Sequence, residues 1–562
     1  MFIKLNESLA KAIGEKQLSR FGLEAHRFRY KSDQEIDLRD IPVADLGILS
    51  TAIEMNKHAS SGCAAQAMSG IRAWKQALEA PDKVKASSVK NMHRLLVQTL
   101  AKVPGHRVYS QDDDGRMLAY VVKEVKFEVG SRRSDRFPHV TINVSWEEIG
   151  KTTDVIWRYY AEDFIGSTAA ELMSSDGVFV ETPELREAYL SDRARFLEVF
   201  SAVGSQFLGR GVGTTQGVDG NDTGEDKYGN RRCRSDSIVL DRDDEPSRLV
   251  VDVPFEDDHD SNQKGGVNDK FWRKEADSKF EDEDGEMEMM EVPIHPYVVV
   301  FDLKRHLRLK AHVSNLTEYQ YDLGLAQKLV LPDETTGIIE MLLQQRGRQF
   351  EDIISGKAGG TIIMCCGRPG VGKTLTAEVY AETMERPLYS VQASQLGLDA
   401  ESLEKELTKV LARGKRWGAV MLIDEADVYV RHRGDDLAQN AIVGVFLRVL
   451  EYHAGALFLT TNRPELIDDA IASRCTARIV YGVPSPKDQA RIWRILADVA
   501  KIPLGDSVIE QWVAKHQNVT GRDVKNLLKL ASMYARAKNK PITLETIEYV
   551  AKFKPTEEVE PR

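Results

Sequence analysis

The spacing of apolar and polar residues divides the first 208 residues into two segments with different predicted secondary structure. Over residues 1–105, apolar residues recur three and four positions apart, which predicts a helical N-terminal region. From 106 to 208 the period changes to two, as where Val125, Phe127 and Val129 alternate with charged residues. Alternation of this kind is typical of strands with one buried face, so we predict an α+β domain over the second segment.

A glycine-rich and strongly charged stretch follows over residues 209–291. It has seven glycines between 209 and 230, and the run EDEDGEMEMME at 281–291 carries seven carboxylates in eleven residues. Carboxylates at this density repel one another and resist burial, which favours a flexible charged linker or insertion. The acidic run is interpreted as a solvated tether, with a docking strip for a basic partner as the alternative. Residues 292–333, which include PYVVVFDL, predict a short strand-rich lead-in to the next segment.

A glycine-rich loop then separates an apolar, strand-like run from a helix-favouring run. The apolar run is TIIMCC at 361–366, and the helix-favouring run LTAEVYAETME begins at Leu375. Between them the loop reads Gly367, Arg368, Pro369, Gly370, Val371, Gly372, Lys373 and Thr374. This is the GxxxxGK[ST] spacing of a phosphate-binding loop in its required strand, loop and helix setting.

The chemistry of this loop predicts where a nucleoside triphosphate and its metal ion would bind. Glycines let main-chain N–H groups turn inward toward phosphate oxygens, assisted by the positive end of the following helix. Lys373 is predicted to reach the β and γ phosphates, and the Thr374 hydroxyl is predicted to coordinate Mg²⁺. We therefore expect residues 367–375 to bind ATP; the alternative is a glycine turn without a ligand.

Two adjacent acids follow a second apolar run, GAVMLI at 418–423. If this run is a buried parallel strand, Asp424 and Glu425 stand at its carboxyl end, where ligands bind in open α/β sheets. Asp424 would hold Mg²⁺, and Glu425 would polarise the attacking water as general base. The alternative is that acidic residues follow the strand only to end it.

A third apolar run, ALFL at 456–459, ends in Thr460, Thr461 and Asn462. If its strand neighbours the one before Asp424, the amide of Asn462 can orient the lytic water without competing for the metal. The alternative is an asparagine that caps the turn before Pro464.

Three arginines toward the C-terminus are candidates for contacts with the γ phosphate. A guanidinium supplied by a neighbouring subunit can stabilise the charge that develops on the transferred phosphoryl group. Arg474, in Ser-Arg-Cys, is our choice for this finger, with Arg478 second and a structural salt bridge as the remaining alternative. Arg522 precedes the helical run VKNLLKLA and could reach back to the nucleotide; an ordinary surface ion pair is its alternative.

Composition narrows the class of protein. At about 100–200 residues per domain, 562 residues suggest three or four domains, and 42% hydrophobic with 29% charged residues is ordinary for a soluble protein. The formal net charge of −11 disfavours a protein that coats nucleic acid.

Five cysteines with no CxxC spacing indicate neither a zinc site nor a disulfide framework. Charges interrupt MFIKLNESLAKAIGEK at the start, so we expect no signal peptide, no membrane span and a cytoplasmic protein.

With these motifs the chain resembles the AAA+ ATPases, and more closely an AAA subgroup of fungi and bacteria that shares RPLYSVQASQLG, RWGAVMLIDEADVYV and VGVFLRVLEYHAGALFLTTNR. The likeness is dense over about 295–500. The resemblance implies a P-loop NTPase fold: an α/β nucleotide domain over 334–485 and a helical lid over 486–562, preceded by the α+β N-terminal part. It also implies a hexameric ring with active sites between subunits, a sensor role for Asn462 and a finger role for Arg474.

The chain departs from this family in two places. Family members that thread a polypeptide carry an aromatic, an apolar and a glycine residue after the second strand, where this chain has Leu396, Gly397 and Leu398. The arginine-proline-glycine-arginine segment of the group is replaced by Ala472-Ser-Arg-Cys475. Translocation by an aromatic grip is therefore not expected, and the finger assignment rests on less than the phosphate loop does.

Three functions are compatible with an ATP-hydrolysing domain of this kind. The first is a ring-forming remodeller that uses ATP hydrolysis to act on a protein partner. The second is a scaffold or switch whose assembly depends on bound nucleotide. The third, a nucleic-acid loader, is favoured only by the Ser-Arg-Cys segment and is opposed by the acidic balance of the chain.

Overall fold

The computed structural model describes residues 2–14, 33–57, 85–160, 165–215, 237–253, 277–344 and 360–553, less 38–40, 42, 113, 130–136, 243–244, 282–286, 332, 398, 433–436, 452, 454 and 517. It also describes residues 18, 64, 67–68, 71–72, 75, 224–225 and 231–232. None of the helices in these ranges combines the length and the apolar character that crossing a lipid bilayer requires. Leu398 lies outside the described residues; it is the third residue of the stretch where family members that thread a polypeptide carry an aromatic, an apolar and a glycine residue.

The N-terminal region contains strands as well as helices. Its elements are β1 (Phe2–Asn6), α1 (Glu7–Ile13), β2 (Asp33–Asp37), α2 (Val43–Met55) and α3 (Val89–Ala101). β1 and β2 pair antiparallel, with Leu5 and Ile36 buried. The prediction of a helical N-terminal region over 1–105 is therefore corrected in part, because pairing with a distant segment makes a strand of FIKLN.

A five-stranded antiparallel sheet follows. It comprises β3 (Arg107–Gln111), β4 (Met117–Glu128), β5 (His139–Glu148), β6 (Lys151–Tyr160) and β7 (Val178–Val180), in the order β6-β5-β4-β3-β7. The helix α4 (Ala169–Ser175) lies between β6 and β7 in the chain, and the helix α5 (Pro183–Ser201) follows β7. Its core includes Leu96 of α3, Val122 of β4 and Val144 of β5. In β5 the buried residues Val140, Ile142 and Val144 follow the period of two, whereas Tyr109, Ala119 and Phe179 belong to a second core cluster with residues of the N-terminal region.

A second, larger sheet is built from segments far apart in the chain. The strands of this part are β8 (Gln206–Gly209), β9 (Val212–Thr214), β10 (Gly224–Glu225), β11 (Arg231–Arg232), β12 (Ser237–Val239), β13 (Asp241–Arg242), β14 (Glu245–Val251), β15 (Asp277–Glu281), β16 (Met287–Glu291), β17 (Tyr297–Asp302), β18 (Leu307–His312) and β19 (Leu316–Glu318). The sheet runs in the order β12-β9-β18-β17-β14-β8-β19, with β13 beside β14. Among the described strands, β10 pairs with β11 alone and β15 with β16 alone.

This sheet corrects two expectations about the middle of the chain. The linker predicted over 209–291 includes β9, β12 and β14, and Leu249, Val250 and Val251 of β14 have no exposed surface. The lead-in predicted over 292–333 is part of the same sheet, because β17 pairs with β14 and β19 with β8. Glycine and charge counts hid these strands because the apolar run of β14 is short and one of its partners, β17, lies beyond the acidic run.

The third part is a parallel sheet flanked by helices. Its elements are α6 (Asp333–Gln344), β20 (Thr361–Gly367), α7 (Lys373–Thr383), β21 (Leu388–Gln392), α8 (Ala400–Trp417), β22 (Val420–Asp424), α9 (Asp427–Val430), α10 (Leu437–Glu451), β23 (Ala456–Thr461), α11 (Asp469–Arg474) and β24 (Ala477–Tyr481). The strand order is β21-β22-β23-β20-β24, and every pair is parallel. The predicted α/β fold is confirmed. Because β20 lies between β23 and β24, the loop after β20 stands on the carboxyl edge between the ends of these two strands.

Four helices complete the described chain: α12 (Pro486–Val499), α13 (Asp506–Lys515), α14 (Gly521–Lys538) and α15 (Leu544–Ala551). They pack around Trp493, Trp512, Leu527 and Ile547. This helical unit is the lid that the resemblance implied.

A buried acid attaches the helix after the phosphate-loop sequence to the second sheet. Glu382, in the last turn of α7, accepts hydrogen bonds from Arg248 Nη1 at 3.1 Å and from the Tyr319 hydroxyl at 2.6 Å. Its other oxygen accepts from the main-chain N–H of Asp322 at 3.1 Å. The far end of α7 is thus held by residues of and after the second sheet.

A second buried acid, Asp252, joins the same two parts. Directly after β14, it accepts hydrogen bonds from Arg416 Nε at 2.9 Å and Trp417 Nε1 at 3.0 Å, both at the end of α8. Arg308 of β18 lies 3.3 Å from its other oxygen. Phe301 of β17 packs on Trp417, with ring centroids 5.0 Å apart. Charge and aromatic packing therefore join the second sheet to the parallel-sheet domain at one patch.

Candidate nucleotide-binding site

The loop between β20 and α7 has a backbone that two of its glycines make possible. Gly367 has φ +152°, and a Cβ there would lie 2.5 Å from the carbonyl oxygen of Tyr481. Gly370 has φ +81°, and a Cβ there would lie 2.6 Å from the Cβ of Arg522. Both positions exclude side chains, so main-chain groups line the turn and the lid helix approaches it closely. Arg368 and Pro369 at the tip of the loop are exposed, and so is Leu375 in the first turn of α7.

Lys373 begins α7 and is buried. Its Nζ donates to the carbonyl oxygens of Gly367 at 2.7 Å and Arg368 at 2.9 Å, and to Asn462 Oδ1 at 2.8 Å. Burial lowers the pKa of Lys373, and the nearby carboxylate of Asp424 opposes that effect. The ammonium group is therefore held beneath the turn in which phosphate oxygens are expected.

Thr374 and Asp424 meet across two elements of the domain. The Thr374 hydroxyl lies 3.1 Å and 3.3 Å from the two carboxylate oxygens of Asp424, at the end of β22. A hydroxyl and a carboxylate are oxygen donors of the kind Mg²⁺ prefers beside substrate phosphates. The hydroxyl of Thr374 and the carboxylate of Asp424 converge, so their oxygen atoms fit the ion that the sequence predicted.

Glu425 adopts a backbone conformation that a hydroxyl of the next strand supports. Its φ is +55°, and its N–H donates to Thr460 Oγ1 at 3.0 Å. The same Thr460 hydroxyl donates to Asp424 Oδ1. One buried hydroxyl therefore fixes the main chain of Glu425 and the carboxylate of Asp424 together, while the side chain of Glu425 is exposed at the strand end.

Asn462 stands beside these acids because β22 and β23 are neighbours, as the sequence predicted. Its side chain accepts from Lys373, and its main-chain N–H donates to Asp427 Oδ1 at 3.2 Å. The Thr461 hydroxyl donates to the same oxygen of Asp427. Sequence reasoning missed Thr460 and Asp427. Thr460 precedes the asparagine by two positions and Asp427 is the last acid of the strand-end run, so both were visible, but only the strand pairing shows what they hold.

Arg522 is brought to the loop by the first turn of α14. Its main-chain N–H donates to the carbonyl oxygen of Gly370 at 3.2 Å. Thr520 caps this helix by accepting from the N–H of Asp523, which fixes where α14 begins. The lid and the loop are therefore in direct contact, and Arg522 lies at the edge of the predicted nucleotide site.

The two finger candidates lie apart from this group within the chain. Arg474, at the end of α11, is exposed, and its Nη1 donates to the carbonyl oxygen of Ala470 in its own helix at 3.2 Å. Arg478 is exposed on β24, and its Nη2 donates to the carbonyl oxygen of Pro464 at 3.2 Å. The structure thus gathers 367–374, 424, 425, 462 and 522, and leaves both candidates on the surface.

The comparison with protein families agrees with this geometry. Residues 363–483 match the family described as "ATPase family associated with various cellular activities (AAA)". The chain carries an AAA ATPase domain. The predictions of an AAA+ nucleotide-binding fold and of an ATP hydrolase are confirmed at the level of this family.

Relatives of the AAA domain cover part of the chain. It is 27% identical over 214 residues to ATP-dependent zinc metalloprotease FtsH 1 of Rhodopirellula baltica, which is 34% of this chain and 31% of that protein. It is 31% identical over 209 residues to ATP-dependent zinc metalloprotease FtsH of Caldicellulosiruptor bescii, 34% of this chain and 33% of that protein. The chain thus spans about a third of the length of the curated relatives that it matches. Among solved structures, the AAA domain of FIGL-1 in complex with ADP matches with a TM-score of 0.35 and 19% identity, over 42% of this chain and 86% of that one.

Proposed function

We propose that this protein binds Mg·ATP at residues 367–374, hydrolyses it, and works as a ring of identical subunits that remodels a protein partner. The observation that carries the ATPase part is the convergence of Lys373, Thr374, Asp424 and Asn462 at the carboxyl edge of the parallel sheet. The remodelling part rests on the attachment of the AAA domain to the second sheet through Glu382 and Asp252, which gives a shift of α7 or α8 a direct route to that sheet.

The residues of the loop have separate tasks in binding. Main-chain N–H groups after Gly367 and the N-terminus of α7 receive phosphate oxygens, and Lys373 exchanges its bonds to loop carbonyls for bonds to phosphate. Thr374 and Asp424 supply the oxygen donors for the metal ion. Mg²⁺, when bound, neutralises negative charge on the β and γ phosphate oxygens. Arg522 adds a positive side chain from the lid.

Hydrolysis needs an oriented water molecule. We assign to Glu425, which is adjacent to Asp424 and exposed at the strand end, the acceptance of a proton from that water. Asn462 lies one hydrogen bond from Lys373 and supplies a neutral amide on the same edge. Arg474 is exposed on the surface of its own subunit, so we assign it to the γ phosphate of a neighbouring subunit, with Arg478 as the alternative.

The variant Glu425→Gln tests the hydrolytic assignment. It should retain Mg·ATP while turnover falls by about 10²- to 10⁴-fold, because the general base is removed and the binding groups stay. Glu465→Gln, an exposed acid three positions after Asn462, is the matched control and should hydrolyse ATP normally. Unchanged turnover in Glu425→Gln would remove Glu425 from this role.

The same trapped protein tests for a partner. Captured from a cell extract in ATP and analysed by mass spectrometry, Glu425→Gln should retain a protein that the Lys373→Ala variant does not. A partner that raises ATP turnover and is itself altered supports a remodeller. A partner that binds but is left unaltered supports the second candidate, a nucleotide-gated switch.

Mixing experiments test the shared finger. Arg474→Ala should lower turnover with ATP binding largely kept, and adding it to wild-type protein should depress the wild-type rate more than dilution does. Arg478→Ala, measured in parallel, decides between the two arginines. Strictly additive rates in every mixture would mean that no arginine is shared between subunits.

The acidic net charge of −11 argues against a nucleic-acid loader, and we propose a cytoplasmic protein whose partner is another protein. A gel-shift series in rising salt tests this exclusion. Tight, salt-sensitive binding to DNA or RNA would reverse it.

A further inference from the structure

Strand β6 forms one edge of the first antiparallel sheet. It pairs with β5 residue by residue, from Glu148 opposite Lys151 to His139 opposite Tyr160. The sheet order β6-β5-β4-β3-β7 gives it no second strand neighbour within the described residues. An unprotected edge of ten residues is a template for pairing with another strand.

The turn before β6 determines which of its main-chain groups face outward. Ile149 and Gly150 have φ values of +50° and +72°, the signature of a two-residue type I′ hairpin. In such a turn the N–H of Lys151 donates to the carbonyl of Glu148, so this pair is a hydrogen-bonded one. Hydrogen-bonded and non-hydrogen-bonded pairs alternate along antiparallel strands, so every second residue from Lys151 bonds to β5. The residues between them, Thr152, Asp154, Ile156 and Arg158, direct N–H and C=O away from β5.

The outer side of β6 is exposed and rich in residues that favour strands. Residues 151–156 are all exposed, including Val155 at 38% and Ile156 at 46%. Arg158 makes no ion pair in the part of the chain that the structure describes. Natural edge strands are usually covered, bulged or short, and among the residues that the structure describes β6 has none of these three protections across 151–158.

The charges on β6 specify a second copy of the same strand as the neighbour. When a strand pairs antiparallel with its own copy, the residue numbers of every opposed pair have the same sum. In the register that places Asp154 opposite Arg158, the two-fold axis passes through Ile156. Asp154 of each copy then faces Arg158 of the other, which gives two pairs of opposite charge. Registers centred on Asp154 or on Arg158 instead place like charges opposite each other, which is destabilising.

The same register also satisfies the main chain. It opposes the outward-facing residues to one another: Ile156 to Ile156 of the second copy, Asp154 to Arg158, and Thr152 to Tyr160. Five such pairs, each exchanging two bonds, give about ten main-chain hydrogen bonds. We propose that β6 pairs antiparallel with β6 of a second copy of this chain, centred on Ile156, and so joins two subunits through their N-terminal sheets. This contact is separate from the ring contacts of the proposed motor.

Cysteine cross-linking in the full-length protein tests the register. Opposed Cα atoms in a hydrogen-bonded pair are about 5.5 Å apart, which a disulfide spans. Ile156→Cys should therefore form a disulfide-linked dimer on mild oxidation, seen on a non-reducing gel. Thr152→Cys is the matched control, because its two copies would be eight residues apart along the paired strands, roughly 26 Å. The wild-type protein gives the background from native cysteines.

Charge reversal tests the pairing without a cross-link. Arg158→Asp should weaken association about tenfold in sedimentation without nucleotide, because two opposed pairs then carry like charge. Adding Asp154→Arg should restore most of that loss, although Asp154 also accepts from Lys123 at 2.8 Å and from Ser145. Equal cross-linking at 152 and 156, no cross-link at 156, or no recovery in the double variant would overturn the proposal. A monomer that binds an extended peptide along β6 would overturn it too.

Discussion

Replacing Thr460 with valine removes one hydroxyl and keeps nearly the same volume. In the structure this hydroxyl accepts from the N–H of Glu425 at 3.0 Å and donates to the carboxylate of Asp424. Thr460 is 2% exposed, so no water is placed to take over either bond. Valine therefore leaves the N–H of Glu425, whose φ is +55°, without an acceptor. It also removes one hydrogen bond that holds the carboxylate of Asp424.

The magnitude follows from these two bonds. A hydrogen bond to a charged group contributes about 1.5–3 kcal/mol, and a buried unsatisfied N–H costs about 1–3 kcal/mol. Part of that loss falls on stability and part on the alignment of the two acids. If about 1.4–2.8 kcal/mol falls on the barrier to hydrolysis, kcat drops about 10- to 100-fold. The KM for ATP should change little, because Lys373 contacts Asn462 and loop carbonyls instead of Thr460.

Steady-state ATP hydrolysis and binding of a fluorescent ATP analogue check this prediction. Thr460→Ser keeps the hydroxyl and should recover most of the turnover, which a purely structural role for the residue would not require. Thr460→Val with unchanged kcat, or a serine variant as slow as the valine variant, would refute the reasoning. A loss confined to nucleotide affinity would also refute it.

Three further predictions concern the parts around the site. Arg522→Ala should raise the KM for ATP about tenfold with little change in kcat, because it removes one charged contact from the lid; the exposed Arg536→Ala on the same helix should leave both constants unchanged. Glu382→Ala should destabilise the protein by about 1–3 kcal/mol in urea unfolding, because the Tyr319 hydroxyl and the N–H of Asp322 lose their acceptor. Burial lowers the pKa of His295 to about 3, so its contribution to stability is full above pH 6.5 and declines as the pH falls toward 3. At pH 5 the loss is about 2 kcal/mol, and His295→Gln should remove that part of the acid sensitivity seen by tryptophan fluorescence.

The nucleotide site could be predicted from the sequence because its residues lie at strand ends with local signals. The loop after β20 carries its glycines, lysine and threonine in one short stretch, and the acids end an unbroken apolar run. Parallel strands bring their carboxyl ends to one edge, so Asp424 and Asn462 could be expected to meet before their contacts were known. The role of Thr460 escaped this reasoning because a threonine at the end of a buried strand does not itself indicate which groups its hydroxyl contacts.

The second sheet could not be predicted, and the reason is the distance between its strands along the chain. β14 pairs with β17 across the acidic run, and β8 pairs with both β14 and β19. Short strands with few apolar residues become strands through such pairing, and composition reports only the charges between them. The same reason applies to β1 and β2, which pair with each other although α1 separates them along the chain.

Calorimetric titration of Mg·ATP into the Glu425→Gln protein, and into the same protein carrying Lys373→Ala, tests the account most directly. We expect saturable binding to the first and its loss in the second, because the Lys373 ammonium beneath the turn at 367–374 supplies the charge that phosphate requires. Equal affinity in both proteins, or no heat from either at millimolar Mg·ATP, would contradict it.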